Sequence, residues 1–191
     1  MSDQELIQQF LNGRQQGVEE LIHRHKERVF TYINIIVKDQ ALAEDIFQDT
    51  FIKVVQSLSG GRYKDSGRFL SWVIRIAHNL IIDHFRREKQ INEISGETYE
   101  SFILNSRKYA IGNVEENLIQ EQIIEDVRAL IHELPEEQKE VILLRHYGGL
   151  SFKEIAEQTN VSINTALGRM RYALINLRKL IHDKKLTLTL Q

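Results

Sequence analysis

Apolar residues recur three and four positions apart through most of this chain, and a single proline, Pro135, interrupts the pattern. At about 3.6 residues per turn that spacing lines them up along one face of a helix, and the alternation a half-buried strand needs is scarce. The pattern predicts an all-α fold. Helices are expected from about Asp3 to Asn12, Val18 to Lys38, Gln40 to Leu58 and Arg68 to Lys89. From about Gln90 to Gly112 the apolar period fails, and Ser, Gly, Asn and Tyr are scattered without order. This stretch reads as a flexible linker between two small helical domains, residues 1–89 and 113–191. Fully extended it would reach roughly 75–80 Å, enough to join domains sitting about two DNA turns apart.

The second domain carries clear start and stop signals. Asn113 with Glu116 has capping-box spacing and predicts a helix to about Glu133. Pro135 opens the next, which ends near Tyr147 at Gly148-Gly149. Ser151 with Glu154 is a second capping box, starting a short helix through Gln158. The turn Thr159 to Ser162 then precedes a long helix from about Ile163 to His182. A short helix, a tight turn and a long helix have helix-turn-helix dimensions, with a plain αα-hairpin as the alternative. On the long helix Ile163, Ala166, Leu167, Met170, Ala173, Leu174, Leu177 and Ile181 are expected to form the buried stripe. Thr165, Gly168, Arg169, Tyr172 and Asn176 project the other way, flanked by Asn164 and Arg171. Arginine, asparagine, threonine and tyrosine supply the donors that phosphates and base edges require.

The helix from Arg68 to Lys89 has two faces of different character. Phe69, Leu70, Val73, Ile74, Ile76, Ala77, Leu80, Ile81 and Phe85 form a broad apolar side. Arg68, Trp72, Arg75, Asn79, Asp83 and Arg86 fall together opposite, offering guanidinium groups to phosphates and an amide to a base edge. A core helix with a few surface arginines is the simpler alternative. In the preceding helix, Ile46, Phe47, Thr50, Phe51, Val54, Val55 and Leu58 are expected inside, and Glu44, Asp45, Gln48 and Asp49 outside.

Charge supports contacts with polyanions at two places. The formal net charge is only −2, but its distribution is uneven. Gly61 to Lys89 holds seven basic and three acidic residues, and Asn160 to Lys185 holds six basic and one acidic. Val114 to Glu140 holds two basic and nine acidic residues, so two basic patches flank an acidic stretch. Such an arrangement gives local attraction to nucleic acid while the near-neutral total limits non-specific binding.

Several classes are excluded or disfavoured. With no cysteine, disulfides and thiolate zinc sites cannot form. No run of eighteen apolar residues suggests membrane insertion, and MSDQELIQQF is no signal peptide, so a cytoplasmic protein is expected. Seven histidines invite a search for a metal site. The tightest cluster is His78, Asp83 and His84, but Asp83 and His84 point about 100° apart on a helix. Neither HExxH, a P-loop nor Gly-x-Ser-x-Gly occurs. No metal, no cofactor and no catalytic residue is expected.

Taken in order, the motifs resemble those of bacterial extracytoplasmic-function sigma factors of the sigma-70 family. Ala43-Glu44-Asp45-Ile46-Phe47-Gln48-Asp49-Thr50-Phe51 looks like their AEDxxQExF signature, and Phe69 to Asn79 looks like their FxxWLxxIAxN helix. Leu134-Pro135, Leu150 to Ala156 and Val161-Ser162-Ile163-Asn164-Thr165 match the second domain in order and spacing. The likeness covers nearly the whole chain except the linker and the tail. Where the family often has Gly-Thr-Val-Lys-Ser-Arg, this chain has Asn164-Thr165-Ala166-Leu167-Gly168-Arg169.

The resemblance implies a transcription-initiation subunit that acts on promoter DNA and binds core RNA polymerase through its β′ clamp helices and β flap. Asp45, Gln48 and Asp49 would meet the clamp helices. The loop Arg62 to Arg68, including Tyr63 and Lys64, would capture a flipped base of the −10 element. Asn79 would contact a neighbouring base, with Arg75, Arg86 and Arg87 near phosphates, and Trp72 would brace the fold rather than stack on DNA. Ser162, Asn164, Thr165, Arg169, Arg171 and Tyr172 would face the −35 duplex. Family members are commonly held inactive by an anti-sigma factor. A helix-turn-helix regulator that is not a polymerase subunit is the competing reading, and it leaves the first ninety residues without a role.

Overall fold

Why the first helix starts where it does is set by Ser2. Its hydroxyl accepts from the Glu5 amide at 3.3 Å while the Glu5 carboxylate accepts from the Ser2 amide at 2.6 Å, a reciprocal cap. In the computed structural model, which describes residues 1–64, 66–95 and 126–186, this opens α1 (Asp3–Leu11). There follow α2 (Gln16–Val37), α3 (Gln40–Ser59) and α4 (Phe69–Ser95). Then come α5, described over 126–132, α6 (Glu136–His146), α7 (Phe152–Gln158) and α8 (Ile163–Asp183). The described residues contain helices and no strand, as the apolar spacing predicts. The chain divides into two units, the first built on α1–α4 and the second on α5–α8.

In the first unit α1 lies on α2, held by Asp3. One of its carboxylate oxygens pairs with Arg24 Nη1 and the other with His25 Nε2, both at 2.8 Å. The crossing needs Gly17, because a Cβ there would stand 2.3 Å from the Leu6 carbonyl oxygen and 2.9 Å from the Phe10 amide nitrogen. Lys38, in a left-handed conformation at φ 58°, ends α2. Asp39 then caps α3 by accepting from the Leu42 amide at 2.8 Å.

Leu21, Val29, Ile33, Val54, Leu58, Phe69, Val73, Ile74, Ala77 and Ile81 fill the core between α2, α3 and α4. Leu70, Ile76, Leu80 and Phe85 of the expected apolar side of α4 are half-buried at its margin. Polar side chains buried with them find partners. Thr50 donates to the Ile46 carbonyl at 2.7 Å, and Tyr32 Oη meets His78 Nδ1 at 2.8 Å. Burial lowers the His78 imidazole from its usual 6.5 to about 4, so it is neutral at ordinary pH.

α4 continues to Ser95, past the residue where the apolar period gives out. Backbone hydrogen bonding carries a helix past its last packed residue when no proline or glycine stops it, and 90–95 contain neither. The remaining linker residues, Asp65, the Asn113–Glu116 capping box and the tail from Thr187 lie outside the described residues.

In the second unit the Pro135 carbonyl accepts from the amides of Gln138 and Lys139 as α6 begins. The Ser151 box forms, with the Ser151 amide donating to Glu154 at 2.8 Å, and starts α7. Asn160, left-handed at φ 53°, makes the turn to α8. Ser162 caps α8 by accepting from the Thr165 amide at 3.1 Å. The core gathers Leu130, Leu134, Val141, Leu143, Leu144, Leu150, Ile155, Ala166 and Ala173.

The buried stripe of α8 is narrower than expected and turned to one side. Only Ala166 and Ala173 are buried, and Met170, Leu177 and Ile181 are half-buried. Ile163 is 46% exposed, Leu167 44% and Leu174 42%, which corrects the wider stripe. The two alanines let α8 approach its neighbours closely along their own line, and larger side chains beside that line are pushed out of the contact. Asn176 is corrected too: its Nδ2 donates to Gln138 Oε1 of α6 at 2.8 Å instead of projecting outward.

Candidate nucleic-acid interface

On α3 the inward side chains Ala43, Ile46, Thr50 and Val54 fix the helix's rotation, and this leaves Glu44, Asp45, Gln48 and Asp49 exposed as expected. Ile52, 53% exposed, follows one turn beyond them on the same face. Its place was legible from spacing, since it sits three and four residues beyond Asp49 and Gln48. The result is an acidic strip with one aliphatic side chain at its C-terminal end, the make-up of a protein-docking surface rather than of a nucleic-acid one.

The α3–α4 loop is tethered by aromatic rings. Tyr63 is half-buried, with its ring centroid 4.5 Å from that of Trp72 and 6.0 Å from that of Phe69. Phe69 in turn lies 5.8 Å from Trp72 and 5.5 Å from His25. Trp72 is half-buried in this cluster, so one aromatic anchor on α4 holds the loop while Arg62, Lys64 and Arg68 stay exposed. Gly61 and Gly67, at φ 64° and 69°, make the bends on either side.

Beyond the loop, the polar side of α4 presents Asn79, Arg86 and Arg87 to solvent, while Arg75 is half-buried. Arg86 Nη1 lies 3.7 Å from Asp83 Oδ1, an exposed pair that contributes little to stability. A ridge of cations with an amide between them, on a helix whose other side is core, can follow a phosphate backbone and address an unstacked base. His84 sits 3.9 Å from Glu88 rather than with Asp83, and the described residues hold no group of three potential metal ligands.

On α8, Ser162, Asn164, Thr165, Arg171 and Tyr172 are exposed, Tyr172 at 62%. Arg169 is placed differently. It is half-buried, and its charge acts on Glu140 of α6. Burial raises the Glu140 carboxyl above its usual range, the Arg169 guanidinium pulls it down, and Glu137 and Glu136 push it up again. Sequence periodicity had no means of finding the influence of Arg169 on Glu140, which lies on another helix.

Comparison with known proteins gives these surfaces a context. Residues 21–91 match the family described as Sigma-70 region 2, and residues 124–172 match Sigma-70, region 4. The chain is 31% identical over 165 residues to RNA polymerase sigma factor SigZ of Bacillus subtilis, covering 86% of this chain and 87% of that one. It is 26% identical to ECF RNA polymerase sigma factor SigW of the same organism, covering 93% and 95%. It is also 26% identical to RNA polymerase sigma-H factor of Pseudomonas aeruginosa, covering 88% of each. Two solved structures share the fold. CnrH in complex with the cytosolic domain of CnrY matches with a TM-score of 0.62 at 22% identity, covering 96% of this chain and 99% of that one. RpoE in complex with the anti-sigma factor NepR from Bartonella quintana matches with a TM-score of 0.63 at 19%, covering 86% and 96%.

Proposed function

This chain belongs to the sigma-70 family of RNA polymerase sigma factors, in its extracytoplasmic-function group, and from that premise we propose how its surfaces divide the work of transcription initiation. The chain is an alternative sigma factor: it binds core RNA polymerase and directs it to promoter DNA. In our reading residues 1–89 form the polymerase-binding and −10 domain, 90–112 the linker and 113–191 the −35 domain. The exposed Asp45, Gln48 and Asp49 dock on the β′ clamp helices. Arg62, Tyr63, Lys64 and Arg68 line the loop that takes an unstacked base of the melted −10 element. Asn79 meets the adjacent base edge, and Arg75, Arg86 and Arg87 follow the phosphates. The exposed residues of α8 enter the major groove of the −35 element.

The observation that carries this reading is α4, where one side is buried core and the other an exposed line of Asn79, Arg86 and Arg87. A lone helix-turn-helix regulator has no use for such a helix or for the acidic strip of α3. We further propose that the chain catalyses nothing itself, works in the cytoplasm, and is held in check by an anti-sigma factor. The described residues contain no helix long and apolar enough to cross a membrane. The test is runoff transcription with purified core polymerase on genomic fragments, followed by mapping of the start sites. Discrete starts that require the chain are expected. Duplex binding without any directed start would leave only the regulator reading.

A further inference from the structure

The rings that tether the α3–α4 loop are backed by a helix outside the stretch that matches region 2. That match begins at residue 21, and α1 precedes it. α1 nevertheless reaches the loop through an unbroken series of contacts. Asp3, its first residue, sets Oδ2 2.8 Å from His25 Nε2 on α2. The His25 ring lies 5.5 Å from that of Phe69, the first residue of α4, and is inclined to it by 45°. Phe69 stands 6.0 Å from Tyr63 and 5.8 Å from Trp72, and these two rings close on each other at 4.5 Å. Tyr63 belongs to the loop, between Arg62 and Lys64.

Hydrogen bonding decides the attitude of the His25 ring. An ionised carboxylate only accepts, so Nε2 donates to Asp3 and the ring is pinned at that edge. Without such a bond an imidazole turns over a broad range about its Cβ–Cγ bond, a torsion between an sp³ and an sp² atom. Asp3 is itself held at a second point, its Oδ1 2.8 Å from Arg24 Nη1. The Ser2–Glu5 cap fixes its backbone, and Gly17 lets α1 sit too close to α2 for a Cβ between them. The His25 side chain is 12% exposed, so its ring is wedged between a fixed carboxylate and the buried Phe69.

We propose that His25, oriented by Asp3, is a positioning residue for the −10 loop. It supports Phe69, against which Tyr63 and Trp72 settle, and so limits the spread of Arg62, Lys64 and Arg68. The inference rests on the assignment of that loop to an unstacked −10 base, and adds to it a role for α1. Capturing a base requires the loop to be ordered, and that ordering opposes binding. A loop held in place before DNA arrives has less ordering left to do. The support therefore shows in affinity for melted DNA and not for duplex.

Trp72 is the only tryptophan, so its fluorescence in the full chain reports on this cluster alone. Variants D3A, H25Q and H25F are compared for acrylamide quenching of Trp72. Holoenzyme reconstituted from core polymerase and each full chain is then bound to two templates from a mapped promoter. One carries a single-stranded −10 segment, and the other is the −35 duplex alone. H25Q keeps a donor toward Asp3 and loses the ring, whereas H25F keeps a ring against Phe69 and loses the bond. D3A and H25Q should both raise quenching and weaken binding of the melted template by about fivefold, with −35 binding unchanged. H25F should fall between the unaltered chain and H25Q. D3A/H25Q should lose no more than H25Q, because both changes act through one ring. D3A alters a partly exposed residue and serves if H25Q fails to fold. V54A, which opens a cavity in the same core, should lower the melting temperature and leave quenching and capture as they were. Unchanged quenching in D3A and H25Q would overturn the proposal, and so would a loss of melted-template binding that V54A reproduces. If R62A/K64A binds the melted template normally, the assignment of the loop itself has failed and the inference falls with it.

Discussion

His78 illustrates how one side chain can couple the core to pH. It occupies the inner side of α4 with Tyr32 Oη at 2.8 Å, and burial holds its imidazole neutral down to about pH 4. The unfolded chain would take up a proton near 6.5, so acid favours unfolding. This group's contribution is complete above about pH 6.5 and is lost progressively as pH falls toward 4. The full difference corresponds to about 3 kcal/mol. Urea titrations at pH 7 and pH 4.5 should show a stability drop that is smaller in H78Q, where no proton can be gained. An identical drop in both proteins would mean that other groups carry the acid sensitivity. In the sequence His78 stands out only in the search for a metal site, and the hydroxyl that satisfies it lies 46 residues earlier. Nothing local encodes that pairing.

At the scale of elements, the two basic helices are built on one plan with different tolerances. α4 buries Phe69, Val73, Ile74, Ala77 and Ile81, a broad surface of large side chains that leaves its rotation no freedom. Its outward face was therefore legible from spacing, and Asn79 and Arg86 are exposed where the wheel put them. α8 buries two alanines, and its face was read too widely, with Ile163, Leu167 and Leu174 assigned to the core and found exposed. The division of labour between the helices can be separated experimentally. N79A should slow open-complex formation by about tenfold or more while binding to duplex −35 DNA changes little. R171A should weaken duplex binding and lower the dependence of log affinity on log salt by about one. Stopped-flow melting assays and salt titrations by fluorescence anisotropy distinguish these effects. Equal losses of both steps in both variants would undo the assignment of α4 and α8 to separate promoter elements.

At the scale of the whole molecule, the first unit carries an acidic face and a basic face on different helices. The acidic strip on α3 and the cationic ridge on α4 are exposed faces of helices that share one core, so a single small domain can hold a protein partner and a nucleic acid together. Reversing the strip with D45R/D49R should weaken binding to core polymerase by tenfold or more. The melting temperature should barely move, since both side chains are exposed. A pull-down with core enzyme and a thermal melt provide the check, and undiminished core binding would place the docking surface elsewhere. The sequence by itself determined the all-α class, most helix limits and the ordered motifs of the sigma-70 family, because apolar period, capping side chains and glycine or proline breaks all act within a few residues. Only the tertiary structure decided how far α8 is turned, that Asn176 of α8 bonds Gln138 of α6, and that Tyr32 closes on His78 and Tyr63 on Trp72. A helix's period says which residues share a face. Where that face is centred, and which polar group finds a partner, depends on the shape and charge of whatever packs against it.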